Sequence, residues 1–166
     1  MRLAILAAAL LAAPLPVAAA PAPEFSWGKI GITIEQYRRD AVECGRKGYY
    51  RDVSGTNAAK LFKRATSMLE TNEGMGGGGG LDTYITSARI VESTQPEKRM
   101  AEVRVFLEEA VTTCLTERGY TRFRLTKAQR ARLSKLHFGS PERHAFLFSL
   151  ATDPNVLAKQ AAPLTA

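Results

Sequence analysis

The sequence predicts an all-α protein, a small bundle of about five to seven helices clamped by one disulfide and interrupted by a glycine-rich loop. Three observations lead there. Apolar residues recur at intervals of three and four through most of the chain. Residue pairs that cap helix starts precede those runs. Strand-like stretches are confined to YYRDV and YTRFRL.

The chain opens with Met1-Arg2, runs apolar from Leu3 to Ala13 and continues PLPVAAAPAP. A charged start, a hydrophobic run and a small-residue cleavage site make a secretory signal peptide over 1–19, with Val17 and Ala19 at the −3 and −1 positions. The apolar run of about 11 residues is short of the roughly 20 needed to span a bilayer. No cysteine follows it to carry a lipid. Soluble export, to a periplasm, is therefore expected. What remains suits one domain with an ordinary globular composition, 45% hydrophobic and 23% charged.

Residues 20–32, with their prolines, read as an extended lead. A single helical domain is expected over 33–160. Its first helix begins at Thr33, with Gln36 at capping-box spacing, and ends at Gly48. Ile34, Tyr37, Ala41 and Cys44 form its inner stripe. Ala58, Leu61, Phe62, Ala65, Met68 and Leu69 give a second helix, which the glycine run stops. Residues 74–80 hold too many glycines for regular structure and are expected to be a flexible loop.

A third helix is carried by Leu81, Tyr84, Ile85, Ala88 and Val91 as its apolar face. The longest pattern then starts at Thr94 and Glu97, with Pro96 in the first turn and Gly119 at the end. Met100, Val103, Phe106, Leu107, Ala110, Val111 and Cys114 fall within one apolar arc. Three short helices follow, starting at Thr126 with Gln129, at Ser140 before Pro141, and at Asp153 before Pro154. A disordered tail is expected over 161–166.

Cys44 and Cys114 both sit on inner stripes, a turn before a basic-Gly-Tyr triplet (Lys47-Gly48-Tyr49 and Arg118-Gly119-Tyr120). Each glycine is expected to turn its helix off in the left-handed conformation, with the tyrosine folded back over the last turn. One cysteine pair in an exported chain suits a structural disulfide between the two helix ends. A redox-active pair is disfavoured, because a helix C-terminus raises the cost of a thiolate.

YRRDAVEC followed far downstream by CLTERGY resembles a pattern of uncharacterised small exported two-cysteine helical proteins of Gram-negative bacteria. The stretch GSPERHAFLFSLATDPNVL is similar to the end of one such subgroup. The resemblance covers most of the mature chain and implies a fold habit and a compartment. It carries over no activity and no functional residue.

Catalytic and metal chemistry find little purchase. His137 and His144 are the only histidines, without HExxH or Cys-x-x-Cys, and read as surface or capping residues; no metal or cofactor is implied. There is no G-x-S-x-G, and Ser140 reads as a cap. The glycine run lacks the Gly-Lys-Ser/Thr of a phosphate loop. Glu35, Asp40, Glu108 and Glu109 read as helix-surface acids, so a hydrolase acting on envelope polymers would need a site assembled by the fold.

The charge distribution is uneven. From Arg118 to Gly139 the chain holds Arg118, Arg122, Arg124, Lys127, Arg130, Arg132 and Lys135 and no acid. The other mature segments hold fifteen basic against sixteen acidic residues, so the excess is local. A solvated helix face is the plain reading of this stretch. The functional one is an exported, non-enzymatic module whose basic face contacts an anionic lipid, lipopolysaccharide or an acidic protein, export making nucleic acid an unsuitable partner. An assembly module is the third alternative, with Phe146 and Phe148 as a candidate exposed apolar patch.

Overall fold

Residues 22–75 and 80–164 are described by a computed structural model. The signal peptide expected over 1–19 and positions 76–79 of the glycine loop lie outside the described residues. In chain order the elements are β1 (Phe25–Gly28), α1 (Ile34–Tyr49), α2 (Asn57–Met75), α3 (Leu81–Ser93), α4 (Pro96–Glu117), β2 (Thr121–Arg124), α5 (Lys127–Leu133), α6 (Pro141–Ala151) and α7 (Pro154–Lys159). The protein is an all-α bundle with one small antiparallel ribbon of two strands.

The covalent frame is the seam between α1 and α4. Thr33 Oγ1 accepts from the Gln36 amide at 3.2 Å and starts α1. Cys44 and Cys114 are buried and disulfide-bonded, with Cα atoms 5.5 Å apart. Leu115 and Tyr120 complete the buried cluster around them, and Trp27, Ile32, Tyr37 and Val111 pack against it.

The two basic-Gly-Tyr triplets behave differently. Gly119 has φ +79°, the Gly119 amide donates to the Thr116 carbonyl at 2.8 Å, and the Tyr120 amide donates to Leu115 at 3.0 Å. This paired bonding is a Schellman motif, and buried Tyr120 and Leu115 supply its hydrophobic contact. Gly48, by contrast, is helical. A Cβ there would lie 2.6 Å from Val111 Cγ2 and 3.0 Å from the Leu107 carbonyl oxygen. The glycine is needed for the close approach of α1 to α4 rather than for an exit turn, and Tyr49 stays in the helix with its ring exposed.

Further departures from the sequence expectations have local causes. α2 continues through Gly74 to Met75. Thr94 does not cap α4: it is buried and donates its hydroxyl to the Val91 carbonyl at 2.6 Å, closing α3. The residue before Pro96 is excluded from the helical region, and Gln95 makes the bend with left-handed backbone at φ 49°. On α3 the expected core stripe faces outward, with Leu81 and Tyr84 74% and 73% exposed. α3 meets α2 through its polar side instead, where Asn72 Nδ2 donates at 3.0 Å to both the Thr83 carbonyl and Ser87 Oγ. Ile90 is its one buried apolar residue.

The C-terminal elements form a second core. Phe123, Leu125, Leu133, Val156 and Leu157 are buried together, with Phe146, Leu147 and Leu150 of α6 against them. All three expected helix starts are capped by the residues named: Thr126 with Gln129 as a reciprocal capping box, Ser140, and Asp153. The antiparallel pairing sets Phe25 opposite Arg124 and Trp27 opposite Arg122, so the paired strands lie in the lead and in YTRFRL, while YYRDV makes none. Residues 161 and 162, expected in a disordered tail, instead extend the ribbon: Ala161 pairs with Phe123, and the Ala162 amide donates to the Arg122 carbonyl at 2.9 Å.

Candidate anion-binding surface

Alternation along β2 separates its side chains. Phe123 points into the core with no exposure, while Arg122 and Arg124 lie on the other face beside Phe25. The Arg122 guanidinium stacks over the Phe25 ring at 3.8 Å from its centroid, and Arg124 is 5.2 Å from the same ring. Arg122 also donates to the Pro163 carbonyl at 3.3 Å, and Arg124 pairs with Glu24 at 3.1 Å across a solvated edge.

These residues wall an open cleft of about 480 Å³. Phe25, Arg122, Arg124, Leu125 and Thr126 form one side; Lys159 and the backbone from Gln160 to Pro163 form the other. Among the described residues no carboxylate lines it. Lys159 carries no signal in the sequence, since it is a single lysine in the short run NVLAKQ, and only the return of the chain beside β2 brings it here.

Thr126 lines the cleft and also caps α5, so the basic residues of α5 continue from the cleft rim. Lys127, Arg130, Arg132 and Lys135 are all exposed. Arg132 lies over the Phe146 ring at 4.6 Å. Among the described residues no carboxylate pairs with any of the four.

Arg118 belongs elsewhere. Its guanidinium donates to Asp40 Oδ1 and, at 2.6 Å, to Glu43 Oε2, while Asp40 Oδ2 accepts from the Tyr120 hydroxyl at 2.9 Å. Lys29 Nζ donates to the Arg118 carbonyl at 2.6 Å. Asp40 is thus a buried member of the seam and not the surface acid the sequence suggested. Bonds to the two carboxylates raise the pKa of Arg118, and burial first, then the bond to Asp40, pushes the Tyr120 hydroxyl well above its ordinary value. Of the seven cations named from sequence, two join the cleft, three lie on α5 with Lys135 just beyond its end, and Arg118 is committed to holding α1 against α4.

Among the described residues no group of three His, Cys, Asp or Glu side chains could hold a metal ion. A second cleft of about 600 Å³ between the start of α2 and α4 contains Glu102 as its single carboxylate among the described residues. Phe146 and Phe148 are half-buried, the latter 5.8 Å from the Tyr37 ring, so the expected patch on α6 is not exposed. No helix among the described residues is long and apolar enough to cross a membrane. Comparison with protein-family models, curated proteins and solved structures finds no match to the chain.

Proposed function

We propose that the chain is an exported, non-enzymatic module that binds a polyanionic partner of the cell envelope through the cleft and the adjoining face of α5. The observation that carries this reading is that Arg122, Arg124 and Lys159 line one cleft with no carboxylate in its lining among the described residues, and that Thr126 at its rim caps α5, where exposed Lys127, Arg130 and Arg132 are followed by exposed Lys135. Export rests on the leading apolar segment and on the disulfide, a bond that an oxidising compartment preserves. Phosphate and carboxylate groups are the matching chemistry, since arginine offers them paired donors and a charge that persists at every physiological pH.

The test is retention of the mature protein on anionic and on neutral lipid vesicles, and on immobilised heparin, across a salt series. Retention on the anionic supports that falls steadily as salt rises is expected, because screening weakens exposed charge pairs. Equal and negligible retention on all three contradicts the reading.

A second reading, assembly with another protein, is favoured by one observation, the outward apolar stripe of Leu81, Tyr84, Ile85 and Val91 on α3.

A further inference from the structure

The turn between α5 and α6 places one side chain where the core gains nothing from it. The Ser140 amide donates to the His137 carbonyl at 3.1 Å, and Gly139 has φ +78°. A four-residue turn with a left-handed glycine at its third position is of type II, and it puts Phe138 at the corner. The Phe138 ring is 94% exposed, more than any other large apolar residue described.

Hydrogen bonds from α6 brace the turn. Arg143 Nη1 donates to the Leu133 carbonyl at 2.8 Å and to Leu136 at 3.4 Å, tying the end of α5 to the start of α6. The same guanidinium lies 5.6 Å from the Phe138 ring centroid. Lys135 and His137 are exposed just before the ring. Glu142, in the first turn of α6, has its carboxylate engaged by its own backbone amide and the Ser140 hydroxyl, which lower its pKa.

We propose that Phe138 is an interfacial anchor that enters the headgroup region of an anionic phospholipid surface while Lys135 and the face of α5 contact the headgroup phosphates. The inference rests on the anion-binding reading above and names the partner as a lipid surface. An exposed aromatic ring among cations matches a bilayer interface, where the ring is taken out of water and the cations stay with charged headgroups. A soluble polyanion satisfies the cations and leaves the ring in water, so the two partners make different demands on Phe138.

Retention of the wild type and of Phe138→Ala is compared on vesicles of phosphatidylcholine mixed with phosphatidylglycerol, on phosphatidylcholine alone, and on heparin. Phe138→Ala is expected to weaken retention on the anionic vesicles by about tenfold, the scale set by burying a large apolar side chain, and to leave heparin retention unchanged. Phe138→Trp is expected to restore retention and to acquire quenching by brominated lipid beyond that of Trp27. Equal vesicle retention of wild type and Phe138→Ala overturns the anchor and leaves the anion-binding reading standing. So does wild-type binding to heparin without binding to vesicles. Loss of binding to every anionic support overturns both.

Discussion

The acid-free run from Arg118 to Lys135 passes through two regions that use arginine in opposite ways. At the seam, Arg118 is shared between Asp40 and Glu43, and its partner Asp40 also takes the hydroxyl of buried Tyr120. Further along the chain, α5 and the residues just after it present Lys127, Arg130, Arg132 and Lys135 to solvent with no carboxylate partner among the described residues. Equal charge in the sequence therefore yields a structural clamp in one place and an open surface in the other. What separates them is whether an adjacent helix brings acids to meet the cation, and α1 does so only for Arg118.

If the seam is the frame, breaking it should cost most. Replacing Cys44 and Cys114 together by alanine releases a loop constraint across a separation of 70 residues. The expected loss is about 4 kcal/mol on the chain-entropy scale, an upper figure for a bond of this span. Urea unfolding of the oxidised wild type and the double variant checks it; coincident midpoints would mean that the bond constrains little and that packing alone joins α1 to α4.

A smaller effect sharpens the same side of the comparison. Tyr120→Phe removes one hydrogen bond to Asp40, and about 1 kcal/mol of stability should go with it at neutral pH. The pH dependence has a defined sign. The folded state holds the Tyr120 proton above the ordinary tyrosine value, so the stability linked to it is complete below about pH 10 and is lost as pH rises further. Tyr37, its hydroxyl also raised by burial, acts in the same direction. Unfolding midpoints followed from neutral to strongly alkaline pH should fall less steeply in Tyr120→Phe than in the wild type.

Much of the frame was legible from residues alone. Periodicity located the helices, caps at Thr33, Thr126, Ser140 and Asp153 placed four starts, and the inward stripes put the two sulfurs on facing helices. These features are local, so the sequence contains their cause. Periodicity does not say which face of a helix will be covered: α3 packs through Thr83 and Ser87 because Asn72 of α2 meets them, and its apolar stripe is left outside. A shared Gly-Tyr spelling likewise hid two roles, a left-handed turn at Gly119 and an inter-helix contact at Gly48. The candidate site was half legible for the same reason. The cations of α5 are contiguous, whereas Lys159 reaches the cleft and Arg118 leaves the surface only through tertiary contacts.

The other side of the comparison predicts the smallest change in stability per substitution and the largest in binding. Reversing Arg130, Arg132 and Lys135 to glutamate touches no ion pair among the described residues and removes only the contact of Arg132 with the Phe146 ring, and unfolding should shift by no more than about 0.5 kcal/mol for each substitution. The most direct measurement is therefore retention of this triple variant on phosphatidylglycerol-containing vesicles at low salt, beside the wild type and with circular dichroism confirming equal helicity. The account predicts that the variant passes unretained while the wild type is held and released by salt. Equal retention of two equally folded proteins would contradict it, and would place any anion binding away from α5.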